Sequence, residues 1–152
     1  VELLVVIMIL AILGGMVVPY AVGGSDSEAS SAARLVASDL QYAQSEAIAT
    51  QTPVKVAFST SSGSYTLSNT SGALVHPIKK SAYTTQFASE TGLEDVRLLS
   101  VAFASGTSCV TFDAMGAPTS PGTIQVQAGG SLKYVVEVAA VTGKVTVSST
   151  SR

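Results

Sequence analysis

Hydrophobic and polar positions divide the chain into three stretches with three different periods. From Leu3 to Val22 no residue is charged and apolar or small side chains follow one another without a polar face. About twenty such residues make a helix of ~30 Å, the thickness of a bilayer's hydrocarbon core. A helix buried in a globular domain would show a polar side, so this stretch reads as a membrane span. Pro19 removes a helical donor, and Gly14, Gly15, Gly23 and Gly24 flank it. A straight first segment to about Val18 and a bent or melted stretch through Gly24 are therefore expected.

The second stretch is amphipathic. Ser25-Asp26-Ser27-Glu28 has the spacing of a capping box. Beyond it Ala29, Ala32, Val36, Leu40, Ala43 and Ala47 recur at intervals of three and four, with Ala33, Leu35 and Ile48 widening the stripe. Arg34, Ser38, Gln41 and Ser45 occupy the other side. A helix to about Gln51 is predicted, its stripe packed on a sheet, ended by Thr52-Pro53.

After Pro53 the period becomes two. Val54, Val56 and Phe58 alternate with Lys55 and Ala57, and Ser61-Ser62-Gly63 turns the chain into Tyr65-Thr66-Leu67. Asn69-Thr70-Ser71-Gly72 is a second turn, before Ala73-Leu74-Val75. Further strands are expected over 83–87, 96–103, 109–112, 123–126, 133–138 and 144–147, forming an antiparallel two-sheet arrangement. The organisation is then 1–24 apolar segment, 25–52 amphipathic helix and 53–152 β-rich head, an α+β fold.

Several strings resemble one superfamily. Val1-Glu2-Leu3-Leu4-Val5-Val6-Ile7 is similar to the N-terminal signature of type IV pilins and type II secretion pseudopilins. On that match Val1 is the fourth mature residue, and a leader and three residues precede it. Pro19 falls where the family places a helix-kinking proline. In the head, Ala33-Arg34-Leu35 through Leu40, Ala43 to Ile48, and Pro53-Val54-Lys55-Val56-Ala57-Phe58 resemble GspH/FimT-like pseudopilins. So do Phe112-Asp113-Ala114-Met115-Gly116-Ala117-Pro118 and Thr142-Gly143-Lys144-Val145. Gln44 departs from the usual Arg and Ala117 from the usual basic residue, and residues 70–107 are unmatched.

The resemblance implies a type IV pilin-like fold and a structural role. The subunit would sit in the inner membrane, meet a prepilin peptidase and assembly-platform proteins, and join identical or related subunits in a filament. Assembly residues would be Glu2, Leu3, Leu4, Val5, Ala11, Gly14, Gly15 and Pro19. Ala11 and Gly15 form a small-xxx-small pair that lets a neighbouring helix approach closely. Glu2 has two readings on physics alone. It is an interfacial residue favouring the helix dipole, or a carboxylate kept for a specific partner. The pilin resemblance implies the second, with a subunit's N-terminal amine as partner.

Composition narrows the class. Charged residues are 12% of 152, and aromatics are few, as suits extracellular β-structure. Residues 1–52 hold five acidic residues against Arg34, a balance of −4, while 53–152 hold seven basic against five acidic, a balance of +2. A DNA-binding surface would need a denser basic stripe. Nucleic-acid contact by Lys79, Lys80, Lys144 and Arg152, in the manner of a FimT-like uptake pilin, is the alternative function.

Candidate chemistry is sparse. Cys109 stands alone, so no intramolecular disulfide forms, and it is expected as a small buried residue of a strand. His76, next to Pro77, is expected in a solvent-facing turn. Glu90, Glu94 and Asp95 lack the alternating oxygen ligands of a calcium loop. Asn69-Thr70-Ser71 matches a glycosylation sequon, a weak signal in the bacterial setting that the resemblance implies. No catalytic constellation, metal site or cofactor motif is present, which makes a membrane-anchored enzyme the least favoured class.

Overall fold

A computed structural model of the chain describes residues 3–12 and 24–151. Residues 3–12 form one helix, α1. No described helix is long and apolar enough to cross a membrane. The bend expected between Gly14 and Gly24 lies outside the described residues.

α2 spans Gly24–Thr50 and buries the predicted stripe: Ala29, Ala32, Ala33, Val36, Leu40, Ala43 and Ala47. Small alanines let the helix axis approach the strands closely, while Val36 and Leu40 fill the space between. Replacing Leu40 by Ala would cost about 2–5 kcal/mol, as a core cavity does. The expected capping box is corrected. Gly24 and Ser25 already belong to the helix, so Ser25 is not its N-cap. Asp26 instead accepts the Leu132 N–H at 3.2 Å on Oδ1, which ties this end of the helix to the head. At the other end Thr50 Oγ1 donates to the Glu46 carbonyl at 2.7 Å and Gln51 Nε2 to the Ile48 carbonyl at 2.7 Å. The Gln51 amide serves one of the last carbonyls, which the helix leaves unpaired, while the Thr50 hydroxyl bonds back onto the preceding turn. Gln51 itself adopts φ 53° and takes the chain out of the helix.

The head consists of two antiparallel sheets. The first holds β1 (Val54–Ser59), β2 (Ser64–Asn69), β3 (Gly72–Ala73), β4 (Thr84–Gln86) and β6 (Cys109–Phe112). Its order is β3-β2-β1-β6, and β4 pairs with β2 beside β3. The second holds β5 (Arg97–Phe103), β7 (Gly122–Gln127), β8 (Leu132–Val138) and β9 (Val145–Ser151), in the order β5-β7-β8-β9. α2 contacts β1 and β6 of one sheet and β7, β8 and β9 of the other.

Alternation sets the faces. In β1, Val54, Val56 and Phe58 point inward; across it lie Leu67 and Tyr65 of β2 and Val110 and Phe112 of β6. The second sheet contributes Ile124, Val126, Val136 and Val138. The Phe58 ring stacks 6.2 Å from that of Phe103, which joins the sheets. Gly63, at φ 58°, supplies the left-handed residue that closes the β1–β2 hairpin.

Three expectations shift. Leu74-Val75 does not continue β3: Val75 forms only an isolated bridge with Ala82. β9 runs on to Ser151, because its Ser/Thr run pairs with β8 as far as Leu132. Cys109 is only half-buried, since it pairs with Ala57 on the outer face while Val110 and Phe112 take the inner one. Its thiol lies 3.6 Å from Thr107 Oγ1.

Candidate assembly surface and the motifs that meet on the helix

α1 has no face turned to a core. Every residue from 3 to 12 is exposed, with Leu3 at 80% and Leu4 at 67%. Leu3, Leu4, Val5 and Ala11 therefore lie on one continuous apolar surface, about 15 Å long at helical rise. Apolar surface of that extent gains free energy when something covers it. Glu2, Gly14, Gly15 and Pro19 lie outside the described residues.

The head motifs converge on α2. Asp113 Oδ1 accepts the N–H groups of Met115 at 2.8 Å and Ala117 at 2.9 Å, shaping the turn after β6. Gly116 in that turn has φ 83°, and a Cβ there would lie 2.7 Å from Ile48 Cδ1. The turn before β9 carries Gly143 at φ 64°. Gln44 holds both turns: Nε2 donates to the Gly116 carbonyl at 2.7 Å and to the Thr142 carbonyl at 2.9 Å. Three stretches far apart in sequence thus meet at one amide.

A second polar cluster escaped the sequence reading. Asp39 is 5% exposed in the middle of the α2 stripe. Its Oδ2 accepts the Tyr65 hydroxyl at 2.6 Å and its Oδ1 the Tyr83 hydroxyl at 3.0 Å. Burial pushes the Asp39 carboxyl above its ordinary range, and the two hydroxyl donors work against that shift. Burial and the nearby carboxylate push both tyrosines up as well. Its only sequence signal was position: Asp39 stands three after Val36 and four before Ala43.

The remaining candidates do not gather. Lys79 forms an ion pair with Glu90. Lys80 is exposed in the same loop, whereas Lys144 lies in the turn before β9; Arg152 is outside the described residues. His76 caps its own turn, Nδ1 accepting from the N–H groups of Ile78 at 3.1 Å and Lys79 at 3.2 Å, with its ring 4.4 Å from that of Tyr83. Asn69 Oδ1 accepts the Ser71 N–H at 2.8 Å. Glu94 Oε2 accepts the Gly92 N–H at 2.9 Å, and backbone N–H donors, its own first, hold Glu94 below the usual carboxylate range. No group of three His, Cys, Asp or Glu residues among the described residues could hold a metal ion.

The sequence model of type II transport protein GspH matches residues 32–148, which contain all of these motifs. The chain belongs to the GspH family. Members of this family are structural subunits, not enzymes. Two solved structures share the fold of this GspH-family head. The minor pseudopilin EpsH from the type 2 secretion system of Vibrio cholerae superposes with a TM-score of 0.61 at 17% identity, over 80% of this chain and 96% of that one. The type IV minor pilin FimU of Pseudomonas aeruginosa gives 0.57 at 18%, over 81% and 90%. No curated protein matches the chain.

Proposed function

We propose that this GspH-family chain is a structural subunit, pilin or pseudopilin, of an extracytoplasmic type II secretion or type IV pilus-like filament. Its apolar N-terminal segment anchors it in the inner membrane before assembly and packs against like segments afterwards. A prepilin peptidase and assembly-platform membrane proteins handle it on the way. The observation that carries this reading is the wholly exposed apolar helix of residues 3–12 in a chain whose head has the GspH fold. The head's basic residues weigh against DNA capture, since Lys79 is paired with Glu90 and Lys144 sits on a separate turn.

In this reading Glu2 pairs with the N-terminal amine of a subunit during assembly, because an unpaired carboxylate at the edge of an apolar run is costly. Glu2→Ala should leave the head folded and the chain membrane-inserted while strongly reducing its amount in sheared filaments. Wild-type incorporation of Glu2→Ala would contradict the proposal.

A further inference from the structure

Most sheet edges of the head are closed to further pairing. β6 is four residues long, and the chain folds back beside it, the Thr119 N–H donating to the Thr111 carbonyl at 2.8 Å and Phe112 bridging to Pro118. β3 and β4 have only two and three residues. β5 is broken by a bulge between Leu98 and Ser100 and carries an exposed Arg97. Short strands, bulges and charge are the usual protections of an edge. β9 has none of them: its seven residues, Val145–Ser151, include no proline, glycine or charge.

The register shows which of its backbone groups are open. The Ala139 N–H donates to the Lys144 carbonyl at 2.9 Å, and pairing continues unbroken from Val138–Val145 to Leu132–Ser151. In an antiparallel ladder, bonded and non-bonded pairs alternate. Thr146, Ser148 and Thr150 therefore direct their backbone groups at β8, and Val145, Val147, Ser149 and Ser151 direct theirs away. Among the described residues no strand pairs with that outer edge.

Beside the edge lies a cleft of about 350 Å³, lined by Ser30 and Arg34 of α2 and by Tyr134, Val147 and Ser149 of the sheet. Val147 and Ser149 pair across the ladder with Val136 and Tyr134, so these side chains share the face that meets α2. Arg34 is exposed, and among the described residues it has no carboxylate within ion-pair distance and no hydrogen bond. The cleft's lining contains no acidic residue.

We propose that β9 and this cleft bind an extended segment of another polypeptide, which adds to the second sheet as a fifth strand and sets a carboxylate against Arg34. The backbone of Val147 and Ser149 supplies the pairing, and the cleft selects the side chain, as in strand addition generally. Side chains of an added strand alternate between faces, so the acidic residue needs small or apolar neighbours two positions away, against Val147. Arg34 favours carboxylate because its planar fork can donate two parallel bonds. The proposal rests on the head alone and is independent of the filament reading.

The test uses the full chain in detergent micelles and fluorescent nine-residue peptides alternating Val and Ser, with Glu, Gln or Lys at the centre. The Glu peptide should bind about tenfold more tightly than the Gln peptide, and the Lys peptide least. Arg34→Ala should remove the preference for Glu. Ser149→Pro should abolish binding with little change in thermal unfolding, because the lost N–H faces away from β8. If Ser149→Pro fails to fold, amide exchange of Val147 and Ser149 in the wild type decides, and slowing by the Glu peptide supports the proposal. No preference for Glu, binding that survives Ser149→Pro, or unchanged exchange would overturn it. So would concentration-dependent self-association lost in Ser149→Pro with no peptide bound, since a second copy would then occupy the edge.

Discussion

Tyr65 donates its hydroxyl to Asp39 Oδ2 at 2.6 Å, across the interface between the first sheet and the helix that covers it. With Tyr83 on the other oxygen, one carboxylate in an otherwise apolar stripe fixes how β2 and the residue before β4 sit against α2. Both hydroxyls depend on it. A buried donor left without an acceptor costs about 1–3 kcal/mol.

Asp39→Ala should therefore destabilise the head by about 3 kcal/mol, and Asp39→Asn by less, because one acceptor oxygen remains. The pH dependence has a definite sign. Folding raises the Asp39 carboxyl above its ordinary value of 3.8, so in that window the folded state binds more protons than the unfolded one. Stability then falls as pH rises from 3.8 through the raised value and is flat above it. Urea denaturation across pH should show wild type losing stability relative to Asp39→Asn as pH climbs through that window. The opposite slope would refute the assignment.

Gln44 should matter more than its half-exposed position suggests. Gln44→Ala removes both bonds to the Gly116 and Thr142 carbonyls and should cost about 1–2 kcal/mol in denaturant titration. Gln44→Arg, the residue that resembling pseudopilins carry here, keeps donors in reach and should cost less than half as much. Gly116→Ala should cost about 1–3 kcal/mol, since φ 83° is left-handed and the new Cβ would crowd Ile48. Adding Ile48→Ala relieves the crowding but not the backbone strain, so rescue should be partial.

Much of this architecture was legible in the sequence, and what was not has identifiable physical reasons. Val54, Val56 and Phe58, the turn at Gly63 and the strand Cys109–Phe112 fall where their periodicity put them. The α2 stripe was also readable, because local spacing determines which side of a helix is apolar. Asp39 was not, since its partners Tyr65 and Tyr83 lie 26 and 44 residues away in sequence. β9 was cut short at Val147 because Ser148 to Ser151 looks like a loop until β8 supplies its hydrogen bonds. Cys109 was expected inside, but register alone decides its face, and a shift of one residue reverses every face. The same applies to Gln44: its departure from the usual Arg was visible, while its two acceptors became visible only in the fold.

The head should fold without the apolar segment. Among the described residues the hydrophobic core begins at Ala29, and Asp26 fastens the start of α2 to the strand beginning at Leu132. Residues 25–152 expressed alone should run as a monomer in gel filtration and unfold in one cooperative step by circular dichroism. Aggregated or unfolded material would contradict this.

The central claim is that residues 3–12 find their cover in like helices of a filament. About 25 cal/mol per Å² of apolar surface removed from water favours that packing. A bend between Gly14 and Gly24 would let tilted helices share an axis while β-rich heads stay outside, at a cost of about 1 kcal/mol for each helical hydrogen bond lost. Electron microscopy of filaments containing this chain tests it most directly. The account predicts Leu3 to Val18 along the filament axis, bent or non-helical backbone between Gly14 and Gly24, and heads on the surface. A straight, uninterrupted helix from Leu3 to Gln51, or a filament whose axis is made by the heads, would contradict it.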